Sequence, residues 1–487
     1  MTYLLGIDFG GGAAKATVID AAGNIVLEAS GEYPTYYPAD GFAEQAAEDW
    51  EKTLYALCRD ITTRINPWEI AAVAVDSATH TALLCDGDMK PVARAIHWTD
   101  ARSREESKFL KENYGDMIFQ KTNHYPDTIW TLPQLLWLQK NDPERLKNTK
   151  HLLFEKDYLR YLLTGRVATD HIEAQGSMLY DVETRDWSPE LSALCGLNME
   201  ILPPLYDPLD FIGEVTGEAS IETGLAEGTL VMAGTTDTCM EMVAAGAVRE
   251  GSMTVKLATA GRICVITDKA YPDRNLVCYS HAVPGLWYPG TATKACASSL
   301  RWFRDAFGDD YKTLDSLASA VPAGADGLFY HPYLAGELTP YADPALRGSF
   351  VGVNGQHTKG HFARAVMEGV GHSLMDSIAA LKTTGITPAN EATLIGGGAK
   401  SPFWAQMIAD MLGIPLKTCL SSDSSLGSAM LAGVAVGVFA DFNDARRKCV
   451  KTGASYEPNT ALTAFYAEAH KKYTAIHDAL APYYHSL

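Results

Sequence analysis

No run of apolar residues in this chain of 487 approaches the length of a membrane span. The longest, Met430 to Ala440, falls far short of the about 20 residues an apolar helix needs to cross a bilayer. The amino terminus reaches Asp8 before the core of a secretion signal could form, so a cytoplasmic protein with no membrane partner is expected. Nine cysteines are scattered from Cys58 to Cys449 with no C-x-x-C pair, and their number is odd. That pattern excludes a disulfide framework and a thiolate metal site and implies reduced, buried thiols. Positive charge is also scarce: 40 Lys and Arg stand against 59 Asp and Glu, a net charge of −19. Too little basic surface remains to neutralise a phosphate backbone, so nucleic acid is excluded as a partner. No low-complexity tract or flexible linker divides the chain.

What is present reads as layered α/β structure. The length exceeds one ordinary core and implies two domains. Tyr3–Phe9, Ala14–Asp20 and Ile25–Ala29 form three strands with turns at Gly10-Gly11-Gly12 and Ala21–Asn24. A strand, small turn and strand recurs at Ser252–Leu257, Ala258–Gly261 and Arg262–Thr267, so each half is expected to open with a hairpin. The boundary then falls near Gly246–Gly251, giving domains 1–246 and 247–487. Apolar residues at three-to-four spacing predict helices over 49–63, 132–138, 362–381, 402–412 and 460–480. Strands at Ile70–Val75 and Ala392–Ile395 alternate with them.

Three segments carry chemistry. Gly6-Ile7-Asp8-Phe9-Gly10-Gly11-Gly12 ends a strand on a carboxylate and enters a glycine turn. Such a turn lets backbone N–H groups approach phosphate, while the Asp can hold Mg²⁺ through waters. It is not a dinucleotide fingerprint, because Lys15 occupies the sixth place and a strand follows, and no P-loop G-K-S/T is present. Ala233-Gly234-Thr235-Thr236-Asp237-Thr238 places a second carboxylate in a small turn beyond a strand. A sugar hydroxyl needs such a base when it attacks a phosphoryl group. Leu394-Ile395-Gly396-Gly397-Gly398 runs into a helix and allows close approach of a ring or ribose. Taken alone, the first segment is equally well read as a structural turn and the second is better read as one, whereas three consecutive glycines in the third exceed what one turn requires.

In order and spacing these segments resemble the FGGY carbohydrate kinases, whose superfamily includes actin and hexokinase. The most specific stretch is Gly348–Val353 followed by His361–Glu368. Lys156-Asp157-Tyr158-Leu159-Arg160, Leu163-Thr164-Gly165, Thr169-Asp170 and Pro332–Glu337 with Thr339-Pro340 are also similar. The resemblance implies two ribonuclease-H-like (actin/hexokinase-type) α/β domains flanking a catalytic cleft. The first, 1–246, would bind the sugar and the second, 247–487, ATP. It implies Mg²⁺ on Asp8, the catalytic base at Asp237, and phosphate or nucleotide contacts from Gly10, Gly11, Gly12, Lys15, Thr259, Gly261, Gly397 and Gly398.

Within the family, Ser77–Thr81 and Ile96–Arg102 are most similar to the xylulokinase branch. That assigns Thr79, His80, Trp98, Asp100, Asp237 and Thr238 to a small sugar substrate, D-xylulose first. Asp100, facing the sugar, would repel a carboxylate such as gluconate. Several positions depart from the family pattern: Gly11 and Gly12 replace hydroxyl residues, Ala258 a glycine, Gln134 a lysine, Leu338 an arginine, and Thr238 an asparagine typical of xylulokinases. Another pentulose, a ketohexose or gluconate, a non-catalytic sugar sensor and a chaperone-like ATPase are the rival readings. A homodimer is left open.

Overall fold

A computed structural model describes Met1–Leu487 and divides the chain into two compact units. The first comprises Met1–Val248, Tyr279–Leu286 and Ser421–Val450, and the second Arg249–Cys278, Trp287–Leu420 and Lys451–Leu487. Residues 421–450, assigned by the sequence reading to the carboxy-terminal half, thus pack with the amino-terminal one.

The first unit is built on a six-stranded sheet, ordered Phe211–Glu214, Leu230–Met232, Ile70–Ser77, Tyr3–Phe9, Ala13–Asp20 and Ile25–Glu32. Tyr3–Phe9 pairs antiparallel with Ala13–Asp20 and parallel with Ile70–Ser77. Every residue of Leu4–Phe9 is buried. That requires cover on both faces of the sheet, so apolar residues point to both, with Asp8 the one charged residue in the run. One face meets the helix Ala47–Thr62 through Trp50, Leu54, Leu57 and Ile61, the spacing expected of an amphipathic helix. Burying each of these large side chains contributes about 2 kcal/mol.

The other face carries the helix Ser424–Ala435, which crosses at Gly6. A Cβ at Gly6 would stand 1.9 Å from the Ser425 carbonyl oxygen and 2.3 Å from the Ala429 nitrogen. The same helix approaches the helix Asp237–Ala244 at Gly427, where a Cβ would fall 2.0 Å from the Met240 carbonyl oxygen. Two glycines therefore let one helix lie on the strand that bears Asp8 and beside the helix that begins at Asp237.

The second unit repeats the opening. Met253–Leu257 pairs antiparallel with Gly261–Val265 and parallel with Ala392–Ile395. Leu416–Cys419 and Thr452–Tyr456 continue that sheet. Its core gathers Val255, Leu257, Ile263 and Leu394 with Val366, Val370 and Leu374 of the helix Lys359–Thr383 and Trp404 and Ile408 of Pro402–Leu412. The last helix, Thr460–Tyr484, extends four residues beyond the expected range. No helix is long and apolar enough to cross a membrane.

Candidate active site

Carboxylates collect at the ends of the first unit's central strands. Asp8 stands opposite Lys15 in the hairpin and beside Asp76 in the parallel ladder. One strand further, Ser77 bridges to Thr236, which brings Asp237 to the same edge at the start of its helix. Burial pushes the Asp8 carboxyl up to about 7, with the charges of Asp237 and Asp423 adding to the effect. Hydrogen bonding to Asp76 and Ser424 offsets part of that rise. Asp76 is driven well above the usual carboxylate range by burial and by Asp8, while Ser428 donates to its Oδ2. Like charges this close in a desolvated corner hold a proton between them unless a cation intervenes. Asp8 Oδ1 is buried and accepts no hydrogen bond of ordinary geometry.

The glycine turn lies directly beyond. The Gly10 carbonyl accepts from the Tyr33 hydroxyl, whose oxygen is also 3.1 Å from Glu155 Oε1. The Gly11 carbonyl accepts from Thr35 and from Gln45, and the Gly12 carbonyl from the Tyr33 N–H. The Gly11 and Gly12 amides find no acceptor in the protein. Lys15 forms an ion pair with Asp423. Gly11 has an ordinary φ, and a Cβ there would meet only the His97 imidazole, 3.8 Å from Nε2.

Asp237 Oδ1 accepts the Thr238 N–H at 2.5 Å and faces the Thr238 hydroxyl at 3.3 Å, leaving Oδ2 without a protein donor. Beneath this turn is a fully buried ionic network. Lys156 Nζ is 2.6 Å from Asp157 Oδ1 and 2.8 Å from Asp170 Oδ2, and Arg160 is 2.9 Å from Asp157. Arg160 also donates to the Ala168 and Ala233 carbonyls. The Lys156–Arg160 and Thr169-Asp170 stretches, which the sequence supplied only as resemblances, are therefore parts of one structure.

On the expected sugar side, His80 adopts φ +62° and donates its backbone N–H to Glu173 Oε1 at 2.7 Å. Its ring packs 4.9 Å from Trp130, which stacks 4.5 Å from His124, itself 4.6 Å from Tyr279. Gly176 makes room for His80, because a Cβ there would stand 2.2 Å from the imidazole Nδ1 and 2.9 Å from the Thr79 methyl. Trp98 is exposed and leans on His97.

Asp100 differs from its expected role. It is fully buried and accepts from the Ala43 N–H at 2.6 Å, the Arg102 N–H at 2.8 Å and the Arg102 guanidinium at 2.8–3.0 Å. Both oxygens are thereby occupied, so Asp100 anchors the Ala43 segment and presents no charge to a carboxylate ligand.

In the second unit, the turn Ala258–Ala260 meets the glycines that follow Ala392–Ile395. Gly396 has φ +92°, and its Cβ would fall 2.6 Å from the Leu257 carbonyl oxygen. A Cβ at Gly398 would be 2.8 Å from Leu257 Cβ, whereas one at Gly397 would meet nothing within 4 Å. Gly261 gives its N–H to Thr293 at 3.0 Å, so that amide is not free for phosphate. Thr259 is exposed at the turn. Gly396 and Gly398 are thus required by packing, and Gly397 and Thr259 are the members of this set open to a ligand.

Sequence reasoning missed Asp76, Asp423, Glu155, Glu173 and Tyr33. Asp76 had a usable signal, since it ends an apolar strand as Asp8 does. The others come together only through tertiary pairing.

No group of three or more His, Cys, Asp or Glu side chains converges to hold a metal ion on its own. Mg²⁺ usually binds one or two carboxylates and takes its remaining oxygens from water and substrate phosphate. The unpartnered Asp8 oxygen beside Asp76 fits that coordination.

The N-terminal-domain signature of the FGGY family of carbohydrate kinases matches residues 3–244, and its C-terminal-domain signature matches 254–436. A xylulose kinase of Bacillus subtilis (strain 168) is 31% identical over 465 residues, covering 94% of this chain and 93% of its own. Among solved structures, a ligand-bound xylulose kinase from Lactobacillus acidophilus superposes with a TM-score of 0.94 at 26% identity, covering 100% of both chains. One from Rhodospirillum rubrum gives 0.92 at 28% identity, covering 99% of this chain and 100% of its own. With both halves matched in order and the fold shared along its whole length, the chain belongs to the FGGY family of carbohydrate kinases.

Proposed function

We propose that the protein transfers the γ-phosphoryl group of ATP to D-xylulose, giving D-xylulose 5-phosphate. The observation that carries this reading is the gathering of Asp237, Asp8 and Asp76 at one sheet edge, with the glycine turn beside them. Similar proteins that are xylulose kinases support the choice of sugar.

In this reading the sugar hydroxyl gives its proton to Asp237 Oδ2 as its oxygen bonds to the γ-phosphorus, and the bond from that phosphorus to the β,γ-bridging oxygen breaks. Thr238 fixes Oδ1 and so sets the direction in which Oδ2 points. The free Gly11 and Gly12 amides and Lys15, released from Asp423, bind phosphate oxygens. Mg²⁺ arriving with the nucleotide would be held by Asp8 with Asp76 at its side and would shield phosphate charge. Thr259 and Gly397 serve the nucleotide in the second unit, with Gly261 and Gly398 shaping the turns. Thr79, His80 and Trp98 serve the sugar. None of the nine cysteines is in a disulfide, which supports a cytoplasmic setting.

The test is a panel of sugars with ATP, following ADP release from the purified protein. D-Xylulose is expected to give the highest kcat/KM. Glycerol should fall well behind, because a shorter polyol leaves polar groups of the site unpaired. Another pentulose ahead of D-xylulose would change the sugar and keep the kinase. ADP release that no sugar stimulates would remove the kinase reading.

A further inference from the structure

The base and the sugar-side histidine of the first unit converge on a single buried carboxylate. Asp170 Oδ1 accepts the Thr235 hydroxyl at 2.8 Å, the Ile172 N–H at 2.9 Å and the Glu173 N–H at 3.3 Å. Its Oδ2 takes the Lys156 ammonium at 2.8 Å. Thr235 lies two residues before Asp237 in the same turn. Glu173 holds the backbone N–H of His80. Lys156 completes the circuit, because its backbone N–H donates at 3.1 Å to Ser77, the residue that bridges to Thr236.

Stability alone does not account for such a network. Buried ion pairs are often no more stabilising than well-packed apolar side chains of the same volume, since desolvation offsets their attraction. What sets this one apart is that, among its outward bonds, one from Asp170 reaches the turn of the base at Thr235 and another reaches Glu173, which holds the His80 arm. His80 also sits at φ +62°, a conformation that is strained for a non-glycine residue and persists only where its surroundings enforce it. Glu173 and the space left by Gly176 enforce it here.

We propose that Asp170 is a positioning residue that holds Asp237 and His80 in one register, through Thr235 and through Glu173. The proposal rests on Asp237 being the base. It assigns Thr235 and Glu173 no contact with substrate. Their bonds fix the angle at which Oδ2 of Asp237 meets the hydroxyl that the His80 arm orients.

The experiment uses the full-length protein and its best sugar. Thr235→Val keeps the shape of the side chain and removes the donor. It should lower kcat by about ten- to a hundredfold, the scale of a small misplacement of reacting groups, with the KM for ATP within about twofold. Thr235→Ser, which retains the hydroxyl, should return kcat to within about threefold of wild type. Thr235→Ala replaces Thr235→Val where the valine variant does not fold, with the same expectation.

The shared register is read from a double-mutant cycle. Thr235→Val in a His80→Ala background should reduce kcat/KM for the sugar by a clearly smaller factor than it does in wild type. A Thr235→Val enzyme with a lowered melting temperature and a kcat within twofold of wild type would overturn the positioning role, and so would strictly additive effects in the cycle. Asp237→Asn serves as the control: its turnover should fall by about a hundredfold or more with folding retained. Near-normal turnover in that variant would remove the base assignment itself, an outcome distinct from failure at Thr235.

Discussion

The two hairpins share a frame and differ in what they place at its end. In each unit an antiparallel pair is followed by a parallel neighbour. In the first, the residue before the last paired position is Asp8, opposite Lys15 and beside Asp76. In the second it is Lys256, opposite Arg262 and beside Ile395. The glycines differ as well. Those of the first turn are loosely surrounded, and its critical glycine is Gly6 inside the strand, under a helix. In the second unit the turn after the parallel strand Ala392–Ile395 has Gly396 and Gly398 pressed against Leu257, with Gly397 of the three standing open. A repeated backbone therefore does not repeat a function. Charge at the ladder end and the room left above the turn decide what each hairpin can bind.

The strongest way to break this comparison is to put a methyl group on the two contrasted glycines. Gly6→Ala must displace helix backbone and should destabilise the protein by about 3 kcal/mol or more, seen as lost soluble yield or a large fall in melting temperature. Gly397→Ala should leave stability within about 0.5 kcal/mol while raising the KM for ATP. If the two variants melted alike, the division into packing and ligand glycines would be wrong.

A smaller effect separates the charges. The Asp8 carboxyl, raised from 3.8 to about 7, binds its proton more tightly in the folded chain than in the unfolded one. Its contribution to stability is full below about pH 4 and is lost as the pH rises through about 7. Asp8→Asn removes that loss, so its melting temperature relative to wild type should climb between pH 5 and pH 8 in the absence of nucleotide. A constant or falling difference would show that Asp8 ionises normally. Buried histidines such as His97, pushed down to about 4, act in the opposite direction, but they are common to both proteins and cancel.

The smallest effect is at Gly11. With an ordinary φ and only the His97 ring nearby, Gly11→Thr should fold with a stability change within about 0.5 kcal/mol. The added hydroxyl, next to the free amides, should lower the KM for ATP. Unchanged ATP kinetics would show that nothing is missing at this position.

Much of the frame was legible because it is written in local pattern. Tyr3–Phe9, Ala392–Ile395 and Pro402–Leu412 run as their apolar spacing indicates, and the hairpin turns carry their own glycines. Of the helix Ser424–Ala435, only the last six residues fall within the apolar run Met430–Ala440, and the rest gives no helical signal. Its small residues, Gly427 and Ala429 among them, give weak periodicity because they are selected by the close approach of other backbones. Asp100 was misplaced for a related reason. A carboxylate followed two residues later by arginine looks the same in sequence whether it faces a ligand or its own neighbour, and burial decides between the two. Asp170 was seen only as part of a resemblance, since a network spanning Lys156 to Thr235 leaves no spacing to read.

The crossing of Ser424–Ala435 over Gly6 also bears on how the molecule comes into being. A ribosome releases the strand that bears Asp8 more than four hundred residues before the helix that covers it. Throughout that interval one apolar face of the nascent sheet has no native cover, and contacts of such long sequence separation form slowly. A fragment ending at residue 246 would hold Asp8, Asp76 and Asp237 yet lack Ser428 and the backbone that seats against Gly6. Such a fragment should bind chaperones and aggregate rather than fold as an independent half.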